Sequence, residues 1–303
     1  MGKFRSIGSQ ARQVAISMFK SGEIRSLATS RNYEQSFRQF GQWLKTQLSK
    51  NNAPQLSRAT EKICTRYLQE RSHEVSQKTL DLDRQALNHL ISMNRGEAAT
   101  ALPMLKADKQ QQLAPRAYTA AQIAEIEAHQ RERTQISTEL CYRCGLRDEE
   151  LLTIRPAGEQ PADKRDTKTN QSLYGHLKFE GREGVMYTVV GKGGLCREVL
   201  VPHALAEKLE ARRLDAPLDV VDRRIHYEKH YDIPGGSKFS HSFTRTSNSE
   251  LGYSNGAHGL RHSYAQERME ELAALGHTDH EALSIVSLEM GHFRTDITMT
   301  YLR

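Results

Sequence analysis

Apolar residues recur at helical intervals through the first third of the chain. Ala11, Val14, Ala15, Met18 and Phe19 are spaced i, i+3, i+4, i+7, i+8, which is one face of a helix. Tyr33, Phe37, Phe40, Trp43 and Leu44 repeat the pattern and predict a second helix, opened by an N-cap at Thr29 or Ser30. Ile63, Cys64, Tyr67 and Leu68 mark a third helix; Leu80, Leu87, Leu90 and Ile91 mark a fourth. The Tyr33–Trp43 stripe reads as core, and Arg12, Lys20, Arg31, Arg38, Lys45 and Lys50 fall on the polar faces as solvated charges.

The periodicity lapses over 94–119, where Gly96, Pro103, a glutamine run and Pro115 predict an extended connector. This divides the chain into a helical domain over 1–105, a linker over 106–117 and a second domain over 118–303. Helical pattern resumes after a cap at Thr119 and runs through "RTQISTELCYRCGLRDEELLTI", interrupted at Gly145. Over 176–201 the texture changes to β-branched and aromatic runs, "HLKF", "VMYTVV" and "LCREVLV", separated by "EGREG" and "GKGG". They predict a small antiparallel sheet with Lys192 in a hairpin turn. Residues 218–256 read as irregular, basic and tyrosine-bearing. Two further helices, "HSYAQERMEELAALG" and "DHEALSIVSLEMG", precede a short terminal segment, "TDITMTYLR". The expected fold class is therefore mainly α with a small antiparallel sheet (α+β).

Composition narrows this picture only a little. No apolar run among the 303 residues approaches the ~20 a membrane span needs, and mean hydropathy is −0.67. The N-terminus lacks a signal-peptide core; Gly2 with Ser6 fits a myristoylation pattern only loosely. Four scattered cysteines fit a reducing, cytoplasmic setting, and a net charge of +6 fits a polyanion partner. Cys141 and Cys144 form a lone C-x-x-C without the second cluster zinc requires, so they read as helix core and no metal is expected. "GKGG" lacks the spacing of a phosphate loop. "HTDH", 277–280, reads as Asp279 capping a helix rather than as a metal site.

Four other elements each have an ordinary reading. "GLRDEEL" offers Arg147 and Glu150 as an i,i+3 ion pair. Lys192 reads as a solvated turn lysine. "AHGLRHSYAQ" puts His258, Arg261 and His262 at the start of a helix, either as a surface cluster or as an anion site. "MGHFRTDITMTY" places His292 after Gly291 and Tyr301 nine residues later, as a helix C-cap followed by a surface helix. Together they supply what metal-free phosphodiester transesterification requires. Two arginines can clamp the non-bridging oxygens. A lysine can protonate the leaving oxygen, histidines can move protons, and a tyrosine can hold a covalent phosphodiester.

These motifs resemble those of the tyrosine recombinase (phage-type integrase) family. "GLRDEEL" is similar to its first arginine motif, "HGLRHSYA" to its H-x-x-R box, and "MGHFRTDITMTY" to its L-G-H box and nucleophile. Lys192 matches its hairpin lysine. The resemblance covers roughly 115–303, and the helical first third is similar, less specifically, to the family's core-binding (SAM-like) domain. It implies that Tyr301 forms a 3′-phosphotyrosine and that Arg147 and Arg261 hold the phosphate. Lys192 would be the general acid, with His258 assisting proton transfer, His292 hydrogen-bonding the phosphate and Glu150 supporting from behind; His262 is left as structural. It further implies a C-shaped clamp on double-stranded DNA and four protomers exchanging strands through a Holliday junction, with no metal, cofactor or ATP. Accessory DNA-bending or directionality proteins and a cytoplasmic, nucleoid-associated location belong to the same expectation. The alternatives are a type IB topoisomerase-like relaxing enzyme and a DNA-binding regulator. Met290 stands in place of the family's usual leucine, and 218–256 is longer and more basic than the family needs. Relatives continue past the tyrosine into a tail that docks on an adjacent protomer. Here the sequence ends two residues after Tyr301, so either the tail lies beyond it or another segment couples protomers.

Overall fold

Serine and threonine caps set the limits of the first helices. In the computed structural model, which describes residues 5–47, 54–97, 101–109, 114–163, 173–191, 193–292 and 294–303, helix α1 spans Ile7–Lys20 with the Ser6 side chain accepting from the Ser9 N–H. Helix α2 spans Leu27–Gln47. It therefore starts ahead of the predicted cap at Thr29 or Ser30. Ser26 Oγ accepts from the Thr29 N–H at 3.5 Å, while Ser30 is buried and donates to the Ala15 carbonyl. Helix α3 (Glu61–Ser72) is capped by Thr60, and α4 (Gln77–Arg95) ends at Gly96, whose φ of 73° is a left-handed cap that glycine adopts without strain. Phe37, Phe40, Leu87, Leu90 and Ile91 are fully buried between these helices. The stretch after α4 is not a free connector along its whole length. Leu102 is buried and donates its N–H to Asn88, and Ala107 donates to Gln77.

The chain divides into two compact units, Met1–Gln112 and Leu113–Arg303. The second unit opens with α5 (Ala120–Ala128), capped reciprocally by Thr119 and Gln122, and α6 (Glu132–Arg143). A 3-10 turn follows over Glu150–Leu152. Strands β1 (Arg155–Pro156), β2 (Val185–Val190) and β3 (Cys196–Val201) pair antiparallel in that order, with Val185 opposite Val201 and Val190 opposite Cys196. "HLKF" is not one of the strands. Gly175–Leu177 forms a 3-10 turn and Phe179 stands at φ 64°, so the third strand comes instead from Arg155–Pro156.

The reading of 218–256 as irregular is also corrected. After α7 (His203–Glu210) come β4 (Arg213–Asp222) and β5 (Ile225–Tyr231), a two-stranded antiparallel hairpin, and then α8 (Gly236–Leu251). The hairpin turn is made by Arg223 and Arg224, at φ 50° and 68°, with no glycine or asparagine to announce it. Tyr231 is buried and donates its hydroxyl to Glu210; Phe239 and Phe243 bury one face of α8. Helices α9 (His258–Ala274), α10 (Asp279–Glu289) and α11 (Thr295–Met299) complete the unit. Thr278, not Asp279, caps α10, in a reciprocal pair with Glu281. Cys141 and Cys144 are buried beside Ile123, Ile136 and Leu140. Among the described residues no helix is long and apolar enough to cross a membrane.

Candidate active site

Two glycines let the backbone deliver its charged side chains. Gly145 turns the chain out of α6 at φ 63°, where a Cβ would stand 2.6 Å from the Tyr264 ring. Gly291, at φ 68°, ends α10 where a Cβ would stand 2.6 Å from Arg197 Cδ. The loops they form carry Arg147 and His292, and the first turn of α9 carries His258, Arg261 and His262.

Glu150 is the centre of the cluster and is fully buried. Its carboxylate accepts from Arg147 Nη1 at 2.7 Å, from the Arg147 backbone N–H at 2.8 Å and from Arg197 Nη2 at 2.7 Å, with Arg261 Nη1 at 4.0 Å. These charges hold the Glu150 carboxyl far below the ordinary carboxylate range against the opposing effect of burial. Arg261 is itself fully buried; burial and the Arg147 charge lower its guanidinium to about 10. It donates to the carbonyls of Gly145 and Met290, which fixes both loops to α9. Arg197 also donates to the Glu289 carbonyl at 2.7 Å. Three guanidinium groups thus surround one carboxylate, leaving two positive charges unmatched within the cluster. The Nε–H groups of Arg197 and Arg261 are buried with no partner among the described residues.

His292 joins the two arginines. Its Nε2 lies 3.2 Å from Arg147 Nη2 and 3.3 Å from Arg261 Nη2, and its Nδ1 lies 3.0 Å from Thr298 Oγ1. Burial and these charges lower its pKa to about 2, so the ring is neutral. Tyr301 is buried among three imidazoles, with ring centroids 4.7 Å from His262, 5.2 Å from His258 and 5.3 Å from His292. Arg261 Cζ lies 5.6 Å from the tyrosine ring centre. The Tyr301 carbonyl is held by His262 Nδ1 at 3.2 Å and Gln266 Nε2 at 3.1 Å. His258, at the exposed rim, and His262, beneath the tyrosine, are each lowered to about 4, first by loss of hydration and then by neighbouring arginines.

Of the residues singled out from sequence, Arg147, Glu150, His258, Arg261, His292 and Tyr301 converge here. Lys192 lies outside the described residues. The neighbouring Gly191 borders the cluster, where a Cβ would stand 2.9 Å from Glu150 Oε1. Sequence reasoning missed Arg197, whose one signal is a charged residue inside the strand "LCREVLV". It also missed Thr298, Gln266 and the contact of His262 with the tyrosine. His277, by contrast, faces Glu180.

No family model matches the sequence, and no curated protein matches it. Solved structures do. The XerH site-specific recombinase bound to palindromic difH substrate, a post-cleavage complex, is 15% identical with a TM-score of 0.62, covering 98% of this chain and 81% of that one. A lambda integrase dimer bound to a COC′ core site is 15% identical with a TM-score of 0.59, covering 99% and 96%. The Tn1549 transposon integrase in complex with transposon right end DNA is 14% identical with a TM-score of 0.56, covering 97% and 95%. The chain has the fold of these recombinases. The likeness spans both units and comes with so little sequence identity that it speaks for architecture alone.

Proposed function

We propose that this chain is a tyrosine-type site-specific DNA recombinase. The observation that carries the reading is the buried excess of positive charge beside Tyr301. An excess of positive charge on one buried carboxylate is costly, and an anion bound there would offset that cost. A phosphodiester does so, and the tyrosine ring centre lies 5.6 Å from the guanidinium of one of these arginines, Arg261. In this reading Tyr301 attacks phosphorus, the phosphate becomes a 3′-phosphotyrosine, and the 5′ oxygen leaves with a proton from Lys192. Arg147 and Arg261 hold the non-bridging oxygens as charge develops. Glu150 and Arg197 fix the arginines, His258 assists proton transfer, and His292 hydrogen-bonds the phosphate. Attack by a 5′-hydroxyl from another duplex reverses the step, so no metal, cofactor or nucleotide is consumed. The partners are double-stranded recombination sites and three further copies of the chain, and the setting is cytoplasmic.

The test is covalent capture. The protein is incubated in EDTA with a nicked duplex library of randomised core sequence, denatured, and the linked DNA sequenced. The adduct is expected on Tyr301, and Tyr301→Phe should bind DNA as wild type and form none. An adduct on Tyr227, Tyr231 or Tyr264, or a requirement for Mg²⁺, would sink the reading. A two-site substrate built from the recovered sequence should yield Holliday junctions; relaxation without junctions would point to a topoisomerase.

A further inference from the structure

Thr298 is fully buried on α11, three residues before Tyr301, and its hydroxyl lies 3.0 Å from His292 Nδ1. On the other side of the imidazole, Arg147 and Arg261 converge on Nε2. A guanidinium can only donate, so Nε2 must accept from both. The proton of the neutral ring is therefore on Nδ1, and Thr298 Oγ1 accepts it. The lone pair of Nε2 occupies a position between two guanidinium groups, where a single phosphate oxygen would receive the same two donors. We infer that His292 is an internal stand-in for a phosphate oxygen, and that Thr298 is a positioning residue that partners Nδ1 in either tautomer and ties the ring to the short helix that precedes Tyr301.

The consequence for anion entry follows from proton count. Once a phosphate oxygen takes over the two N–H donors, an unprotonated Nε2 would face an anion lone pair to lone pair. The favourable ring is then the other tautomer: one proton leaves Nδ1 to solvent, one is taken up at Nε2, and the imidazole stays neutral. Nδ1 becomes an acceptor, and the Thr298 hydroxyl turns to donate to it. A hydroxyl has a donor and acceptors and can serve both states; a methyl group can serve neither. Filling the site and seating the nucleophile are in this way two ends of one hydrogen-bonded chain. The inference rests on the reading of the pocket as a phosphodiester site.

The experiment uses the full chain labelled with 15N-histidine, with His292 assigned by comparison with His292→Gln and inorganic phosphate as the probe. Without phosphate, wild type should show His292 protonated at Nδ1; saturating phosphate should move the proton to Nε2. Thr298→Ser should behave as wild type. Thr298→Val keeps both arginines, so its His292 should stay protonated at Nδ1 without phosphate, but it should show a rise of about fivefold in amide exchange across 299–302. An Nε2-protonated ring in phosphate-free wild type, or a Thr298→Val protein indistinguishable from wild type, would overturn the inference. The two readings separate cleanly. A phosphate-driven tautomer change without a Tyr301 adduct keeps this inference and loses the recombinase; an adduct without the tautomer change does the reverse.

Discussion

Two buried carboxylates, Glu289 and Glu150, meet opposite fates. Glu289 accepts from Arg268 Nε and Nη2, from the Tyr264 hydroxyl at 2.7 Å and from the Phe179 N–H at 2.7 Å. Arg268 and Arg182 are in turn matched by Glu271. Charge there is balanced, and the result is a fastening that ties α9, α10 and the turn at Phe179 together. Glu150 is matched against three arginines, and its surroundings remain positive. The two central carboxylates are alike in burial, so burial of the carboxylate does not distinguish a structural site from a working one. The unbalanced charge does.

The largest expected effect breaks this comparison from the structural side. Arg268→Ala leaves Glu289 buried without its cation and should destabilise by about 3–5 kcal/mol, read from the urea midpoint, with the cleavage rate per folded molecule unchanged. Arg147→Ala should do the opposite. Glu150 keeps Arg197, so stability should move by less than about 1 kcal/mol, while adduct formation slows ~10²–10³-fold. If both variants lost stability alike, the distinction between the networks would be empty. Next, an anion should act on one site only. Inorganic phosphate at 100 times its dissociation constant should stabilise wild type by about 2.7 kcal/mol against thermal unfolding. Arg268→Ala should gain as much, and Arg147→Ala much less.

Acid sharpens the comparison further. His262 titrates near 4 when folded against about 6.5 when exposed, so between these values the unfolded chain binds more protons. Stability is full above pH 6.5 and falls as pH drops toward 4, by at most about 3 kcal/mol for this group. His262→Asn should reduce the slope, with His258 and His292 supplying the remainder; an unchanged slope would put the acid sensitivity on groups other than His262. The smallest effect belongs to the rim of the balanced network. Glu271→Gln, partly exposed, should cost under about 1 kcal/mol.

The legible parts of the molecule were those where one segment carries its own signal. The stripe from Tyr33 to Leu44 buries the expected face because helical spacing is local. His258 and Arg261 share a turn, and Tyr301 follows His292 on one short segment. Glu150 was readable as an ion-pair partner of Arg147, but not as the hub of three arginines, because Arg197 reaches it from β3. Glu289 carried no signal of its own in the sequence, since Arg268, Tyr264 and Phe179 reach it from two other segments. The β4–β5 hairpin was missed because its turn residues are arginines and acidic positions interrupt the apolar alternation of its strands. The helix boundary errors at Ser26 and Thr278 have a simpler cause: more than one residue nearby can cap, Thr29 and Ser30 in the first case and Asp279 in the second.

That hairpin carries a hazard. As a two-stranded sheet it has both outer edges unpaired among the described residues, and Leu218, Val221 and Ile225 are 51%, 62% and 47% exposed. Open edges beside bare aliphatic groups are a template for runaway sheet growth between molecules. Pro217 removes a donor from the β4 edge next to its register shift, and Asp215 and Asp219 are exposed on the same strand. Proline and like charges on an edge strand oppose such pairing, so replacing Pro217 and Asp219 with Val should lower solubility at high concentration while leaving the unfolding midpoint nearly unchanged.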